Sequence, residues 1–208
     1  MDPKRIIREG YDRLGGRYRD WNSGSDAVRG WFMDEILQRL PAGADVLELG
    51  CGWGSAAPTL GDGRSYTGVD LSSGQLAIAR DRLPDATFLR GDLTQLEFPD
   101  GSFDAVVAFY VFNHVPRAEQ APTFERIFGW LRRGGRFMAS LGASDTDDEI
   151  QEDFLGVPMF FAGFEPDANE RALLHAGFEL EISETRNQFE DGEGEATFHW
   201  VIARRPAN

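Results

Sequence analysis

The sequence predicts an α/β protein whose mostly parallel sheet is doubly wound, with helices covering both faces. Short apolar runs alternate with helix-like patterns through the middle of the chain, which is typical of parallel strands joined by crossover helices. The first run ends near Glu48 and leads into a loop with glycine at every second position, Gly50–Gly54. Two β-rich runs, 178–185 and 196–203, flank the acidic loop Phe189–Glu195 and predict an antiparallel pair. The sheet should therefore carry one reversed strand near its edge.

The N-terminal region is predicted to form a helical cap over residues 1–40. Apolar residues recur at close to helical spacing over residues 4–22. The pair Gly15-Gly16 should break this helix, because each glycine costs about 1 kcal/mol relative to alanine. Ser25-Asp26 could cap the next helix, which runs to about Leu40.

The strands and helices of the sheet region follow in alternation, each bounded by turn or capping residues. The predicted strands lie at 45–49, 65–70, 86–90, 103–109 and 135–141. The predicted helices begin near Gly54, run from Ser72 or Ser73 to Pro84, run from Pro116 to the segment Arg132–Gly135, and span Pro166–Ala176.

Composition restricts the class of protein. At 208 residues and 23.2 kDa the chain is predicted to be one domain. Its net charge of −14 disfavours nucleic acid and anionic membranes as partners. The only cysteine, Cys51, excludes an internal disulfide, and no cluster of residues at ligand spacing predicts a metal. No apolar run is long enough for a membrane span, and no signal-peptide pattern is present, so the expected location is the cytoplasm.

The glycine loop and a later acid together predict a nucleotide-type binding site. The glycines let the backbone turn sharply and approach a ligand closely, because they carry no Cβ. Asp70 ends the second predicted strand, twenty residues beyond Gly50. A carboxylate at that place can accept hydrogen bonds from both hydroxyls of a ribose.

With these elements the chain resembles the class I S-adenosylmethionine-dependent methyltransferases, specifically their small type-11-like branch. The resemblance covers about residues 10–205. The motifs that carry it are Val46–Gly54, Gly68–Ser72, Gly91–Leu93, Phe98–Asp104 and Leu131–Phe137. It implies a Rossmann-like sheet of seven strands in the order 3-2-1-4-5-7-6, with strand seven antiparallel. It also implies S-adenosylmethionine as cofactor and S-adenosylhomocysteine as product.

The resemblance further implies a set of cofactor-binding residues. Asp70 would accept from the ribose hydroxyls, Asp92 from the adenine amine, and Gly50 would pack against the methionine part. Two tyrosines of the N-terminal helix match positions that close over the cofactor in relatives. The full set is Tyr11, Tyr18, Glu48, Gly50, Gly52, Asp70, Leu71, Asp92, Leu93, Ala108 and Phe109.

The methyl acceptor is expected to be a small, apolar or aromatic molecule that is methylated on oxygen or nitrogen. His114 follows strand four and could act as general base; alternatively it lines the pocket or caps the helix that begins at Pro116. The expected acceptor-binding residues are Tyr110, Asn113, Met159, Phe160, Phe161 and Phe164.

Residues 142–165 are predicted to form an insertion or lid between strand five and the last helix. Its acidic run, 144–149, is expected to be a solvated loop. The later aromatic residues could either form a hydrophobic core beneath the insertion or wall the acceptor pocket. Relatives often carry polar residues where this chain has Phe161-Ala162-Gly163, which favours a more apolar pocket.

Two other functions stay open at this point. A cofactor-binding module without catalysis would show the same motifs. A nicotinamide-dependent oxidoreductase is less consistent with the sequence, because its loop requires glycine or alanine where this chain has Ser55. The partner expected is a small-molecule acceptor, with no nucleic acid or membrane, and the chain is expected to be a monomer or homodimer.

Overall fold

The computed structural model describes residues 2–21, 27–190 and 194–207. The helices are α1 (Pro3–Leu14), α2 (Gly16–Trp21), α3 (Ala27–Leu37), α4 (Ala57–Leu60), α5 (Ser73–Arg82), α6 (Arg117–Trp130) and α7 (Pro166–His175). The strands are β1 (Asp45–Leu49), β2 (Ser65–Asp70), β3 (Thr87–Arg90), β4 (Phe103–Ala108), β5 (Leu131–Gly142), β6 (Thr146–Phe154), β7 (Val157–Gly163), β8 (Glu179–Glu190) and β9 (Gly194–Arg204). A 3₁₀ turn spans Phe112–His114.

The main sheet has seven strands in the order β3-β2-β1-β4-β5-β9-β8. The first five strands pair in parallel, and β9 pairs antiparallel with both β5 and β8. Counted by its own strands alone, the sheet has the order 3-2-1-4-5-7-6 with the seventh strand reversed. The doubly wound α/β class and the closing antiparallel pair are therefore confirmed.

The central strands are largely apolar because both faces of the sheet are covered. In β1, Leu47 and Leu49 join one hydrophobic cluster, whereas Val46 joins the cluster on the opposite face. In β4, Val106 and Val107 separate in the same way. Successive side chains of a strand point to opposite faces of the sheet, so one hydrophobic core forms on each face.

Several predicted boundaries shift by a few residues. The break at Gly15 is confirmed, and its backbone N–H bonds the Tyr11 carbonyl. The helix after the glycine loop begins at Ala57 instead of Gly54. Helix α6 ends at Trp130 and β5 begins at once with the buried Leu131, which pairs with β4. The helix predicted to reach Leu40 ends at Leu37.

Two sequence predictions fall wholly or partly outside the described residues. They are the helix cap at Ser25-Asp26 and the middle of the acidic loop between β8 and β9, residues 191–193. Within the described part of the chain, no helix is long and apolar enough to cross a membrane.

The segment 142–165 contains a two-stranded antiparallel hairpin, β6 with β7. The acidic run was predicted to be a loop. This prediction was wrong about the backbone conformation, because most of the run lies in strand β6. Its pairing with β7 satisfies backbone groups that a loop would leave to water. The acidic side chains of β6 are exposed, as predicted.

Helix α1 packs against this hairpin through a third hydrophobic cluster. Ile7 and Leu14 of α1 lie with Val157, Met159 and Phe160 of β7. The contact is close at Gly10 of α1, where an added Cβ would lie 2.8 Å from the Met159 methyl carbon. The N-terminal helix and the hairpin therefore form one packed layer over the end of the sheet.

Candidate active site

A cavity of about 90 Å³ lies where the carboxyl ends of β1, β2, β3 and β4 meet helix α1. Its walls come from the loops that follow these strands and from one face of α1. In open α/β sheets, ligands bind at the carboxyl ends of the strands. This cavity is therefore the candidate active site.

The glycine loop forms one wall, and Gly50 is sterically required there. Its φ is +69°, and an added Cβ would lie 2.5 Å from a methyl carbon of Val111. The next turn of the loop is fixed by Asp70, whose Oδ2 accepts from the Gly52 N–H at 2.8 Å. A backbone held open in this way lets a ligand approach the main chain without meeting a side chain.

Asp70 is the acid at the end of β2, and it is held in a fixed orientation. Its Oδ1 accepts from the Ser72 N–H at 2.8 Å, opposite the bond from Gly52 to Oδ2. Burial raises the pKa of Asp70, although the backbone N–H groups of Ser72, Gly52 and Leu71 oppose that rise. Each carboxylate oxygen keeps a further lone pair for a ligand hydroxyl.

Asp92, beyond β3, is held by the N-terminal helix. Its Oδ2 lies 2.8 Å from the Lys4 ammonium, and its Oδ1 accepts from the N–H and hydroxyl of Thr94. Lys4 also donates to Glu119 at 2.6 Å and to Thr94 at 2.7 Å. Burial raises the pKa of Asp92, but the bonds from Lys4 and Thr94 outweigh it and lower that pKa.

His114 sits in a chain of hydrogen bonds between α1 and the hairpin. Its Nδ1 lies 2.8 Å from the Phe160 carbonyl oxygen, and its Nε2 lies 2.8 Å from the Tyr11 hydroxyl. A carbonyl oxygen only accepts, so Nδ1 carries the hydrogen and Nε2 accepts from Tyr11. Burial lowers the pKa of His114 to about 4, although the hydrogen bond to the Phe160 carbonyl opposes that shift. The ring is therefore neutral near pH 7.

Comparison with known proteins shows which proteins this chain is similar to. A protein-family model described as a methyltransferase domain matches residues 46–135. Over 116 residues the chain is 39% identical to a protein of Mycolicibacterium smegmatis described as a probable S-adenosylmethionine-dependent methyltransferase, with 53% of this chain and 44% of that protein aligned. Over 157 residues it is 34% identical to phosphoethanolamine N-methyltransferase 2 of Caenorhabditis elegans, with 68% and 36% aligned.

Residues 46–135 of this chain are therefore similar to a methyltransferase domain. The fold agrees over its whole length with a solved structure of the cyclase SpnF, at a TM-score of 0.75, 17% identity, and coverage of 100% of this chain and 98% of that one. The chain spans less than half the length of the two curated relatives named above.

The cofactor of this methyltransferase domain type is S-adenosylmethionine. The residues around the cavity fit it, because Asp70 offers two acceptor oxygens for vicinal hydroxyls and the glycine loop leaves its backbone uncovered. Apolar side chains such as Leu71, Leu93 and Phe109 line the cavity beside these acids and could cover a base.

The structure brings most of the predicted cofactor residues to the cavity. Those that line it are Tyr11, Tyr18, Gly50, Gly52, Asp70, Leu71, Asp92, Leu93 and Phe109, with Tyr110 and His114 beside them. Glu48 is 3% exposed behind the glycine loop, and Ala108 is fully buried in the core. Neither lies on the cavity wall.

The predicted acceptor residues of the insertion are not on the cavity wall. Met159 and Phe160 are buried in the cluster between α1 and the hairpin, so the core interpretation describes them. Phe161 lies behind His114, with the two ring centroids 4.9 Å apart. The ring of Phe164 packs under the Arg117 guanidinium, 4.0 Å from its centroid. Asn113 also does not line the cavity, and its Oδ1 is buried without a hydrogen-bond partner among the described residues.

Sequence reasoning missed several residues of α1 that line the cavity. The missed residues are Lys4, Ile7 and Arg8, which line the cavity together with the predicted Tyr11. Their spacing of three, four and seven residues places them on one helix face. Residues at this spacing could have been interpreted as a helix face that contacts a ligand, although two of them are charged. That interpretation could have indicated the missing residues.

Lys4 is the only lysine in the chain, and its role in holding α1 can be tested. In Lys4→Met, we expect the amides of residues 6–14 to exchange hydrogen about 5- to 10-fold faster, because α1 loses its ionic contact with Asp92 and Glu119. Hydrogen-exchange mass spectrometry measures this. The matched control is Arg5→Met, at an exposed cationic neighbour. Equal exchange in both variants would show that Lys4 does not hold the helix.

The buried Glu48 predicts that cofactor binding depends on pH. Burial raises the pKa of Glu48 to about 7, despite a hydrogen bond from Tyr66 and the charge of Arg29. A cationic ligand nearby favours the carboxylate, so binding releases a proton. We therefore expect affinity for S-adenosylmethionine to rise with pH up to about 7 and then level off.

Calorimetry at several pH values, in buffers of different ionisation enthalpy, measures both the affinity and the proton release. Glu48→Gln should flatten the dependence below pH 7, whereas Glu97→Gln, at an exposed site, should leave it unchanged. If the Glu48→Gln profile matches the unmodified protein, Glu48 is not the coupled group.

Proposed function

We propose that this chain transfers the methyl group of S-adenosylmethionine to a small, apolar or aromatic acceptor, on a hydroxyl or an amine, and that a hydroxyl is favoured. The observation that carries the proposal is the neutral His114, fixed by Phe160 and facing Tyr11 at the cavity wall. When bound, S-adenosylmethionine supplies a methyl group that its sulfonium has already activated. The protein then has to align the acceptor, exclude water and take up a proton.

The residues that would hold the cofactor are divided between the ends of the cavity. Asp70 would accept from the ribose and Asp92 from the adenine amine, while Gly50 and Gly52 would face the methionine part. Helix α1 covers these positions and reaches both acids, since Asp12 accepts from Ser72 beside Asp70 and Lys4 binds Asp92. Such a cover would exclude water from the reacting atoms.

The low pKa of His114 favours a hydroxyl acceptor. An attacking hydroxyl becomes an oxonium as the new bond forms, and an oxonium is acidic enough to give its proton to a base with a pKa of about 4. An alkylammonium product would keep its proton in the presence of so weak a base. His114 Nε2 would receive the proton, directly or through the Tyr11 hydroxyl, while Nδ1 stays bonded to the Phe160 carbonyl.

The walls around His114 favour an apolar acceptor. Val111, Val115 and Pro116 line the cavity beside this histidine, and Phe109 lines it from the end of β4. A pocket with apolar walls and few polar groups selects an acceptor by shape and fixes it with those few groups.

The first test is calorimetric titration of the purified protein with S-adenosylmethionine, S-adenosylhomocysteine and NAD. We expect the first two to bind and NAD not to bind. The second test supplies isotopically labelled S-adenosylmethionine with a panel of phenols, enols and amines, and mass spectrometry follows the labelled methyl group. Transfer to hydroxyl compounds supports the proposal.

The other outcomes separate the alternatives. Binding of NAD alone would overturn the proposal in favour of an oxidoreductase. Tight binding of S-adenosylmethionine without transfer to any compound of the panel would favour a non-catalytic binding module. Transfer only to amines would remove the proton-accepting role assigned to His114.

A further inference from the structure

Gln75, in the first turn of α5, is a buried polar residue at the cavity that the proposed chemistry leaves unused. It is 1% exposed and contributes to the cavity lining. Its Nε2 donates to two backbone carbonyls where α1 ends, Tyr11 at 3.3 Å and Gly15 at 3.1 Å. Since both neighbours are acceptors, the amide nitrogen must face them, and the orientation of the side chain is fixed.

The other end of this amide is unsatisfied. Gln75 Oε1 is buried and has no hydrogen-bond partner in the part of the chain that the structure describes. A buried acceptor without a donor loses its hydration and gains nothing in return. A polar atom held in this state at a cavity indicates a ligand that supplies the missing donor.

The local chain geometry indicates which part of a ligand that donor belongs to. The Gln75 N–H donates to Ser72 Oγ at 3.1 Å, and the Ser72 N–H donates to Asp70 Oδ1 at 2.8 Å. Gln75 therefore belongs to the first turn of a helix whose N-cap residue is bonded to the carboxylate assigned to the ribose. A ribose carries two neighbouring hydroxyls, each with one hydrogen to donate.

We propose that Gln75 Oε1 accepts a hydrogen bond from a ribose hydroxyl of the bound cofactor, so that Asp70 and Gln75 hold the ribose together. The proposal rests on the placement of the ribose at Asp70. It also explains why the residue is glutamine: a carboxylate there would face the Tyr11 and Gly15 carbonyls and add a second negative charge beside Asp70. One side chain thus joins the ribose site to the end of α1.

The test compares S-adenosylhomocysteine with its 2′-deoxy and 3′-deoxy analogues by calorimetry. In the unmodified protein, we expect one of the two analogues to bind about 3- to 10-fold more weakly through loss of the bond to Gln75. Gln75→Met keeps the side-chain volume and removes the acceptor, so it should weaken the binding of S-adenosylhomocysteine itself by a similar factor. For that same analogue, Gln75→Met should cause no further loss, because the two changes remove one interaction.

The matched control is Gln120→Met. Gln120 is also buried, and its Nε2 also donates to two backbone carbonyls, those of Phe112 and Val115, but it is not part of the cavity lining. We expect Gln120→Met to bind the deoxy analogue more weakly than S-adenosylhomocysteine by the same factor as the unmodified protein. If Gln75→Met also binds the analogue more weakly by that factor, the proposal is overturned.

A measurement on the unmodified protein decides the question if Gln75→Met does not fold. The side-chain amide signals of Gln75 should shift in nuclear magnetic resonance spectra when S-adenosylhomocysteine is added, and shift much less with the discriminated analogue. Equal shifts with all three ligands would overturn the proposal. Failure of the unmodified protein to bind S-adenosylhomocysteine would instead overturn the proposed function.

Discussion

Asp70→Asn is expected to weaken binding of S-adenosylhomocysteine about 100-fold or more. Both carboxylate oxygens of Asp70 already accept backbone N–H groups, from Gly52 and from Ser72. An asparagine has one acceptor oxygen, so its NH₂ would face one of these N–H groups, and the loop would lose its support. The ribose would also lose a charged acceptor. Calorimetry or equilibrium dialysis measures the change.

The control for this variant is Asp81→Asn, the same chemical change at an exposed aspartate of α5. It should leave the affinity within about 2-fold, as is usual for surface positions. Circular dichroism would show whether Asp70→Asn remains folded. A folded Asp70→Asn variant with unchanged affinity would show that the ribose does not lie at Asp70.

His114→Gln is expected to lower kcat for a hydroxyl acceptor by about 10²- to 10⁴-fold. Glutamine keeps a polar group near Phe160 and Tyr11 but cannot take up a proton. Affinity for S-adenosylhomocysteine should change little, because His114 is assigned to the acceptor and not to the cofactor. Single-turnover methyl transfer, together with calorimetry, separates these two effects.

The pH dependence gives an independent check on His114. Its Nε2 must be unprotonated to accept a hydrogen, and its pKa is about 4, so the rate constant at saturating ligand should be constant near neutral pH and fall below about pH 4 to 5. His175→Gln, at an exposed histidine that ends α7, serves as the matched control. Full turnover in His114→Gln would show that this histidine does not act as the base.

Much of the fold was predictable because the local sequence patterns agree with the alternation of strands and helices that defines this fold class. Strands β1 and β4 place apolar residues on both faces since both faces are covered, and the Ser72 cap fixes the start of α5. The hairpin β6–β7 was not predictable, because an acidic run such as Asp145–Glu149 has low strand propensity. Its pairing with an apolar strand overrides that local preference. The single-domain assignment, the cytoplasmic location and the monomeric or dimeric state stay predictions.

The sequence by itself determined where the strands lie along the chain, the glycine loop and the acids at the strand ends, because each of these depends on residues close together in the chain. Only the tertiary structure decided that Lys4 meets Asp92, that Tyr11 meets His114, and that Met159 packs into a core. The two polar contacts join residues that are 88 and 103 positions apart. No local periodicity encodes such pairs, since they form only when α1 and the hairpin pack over the end of the sheet.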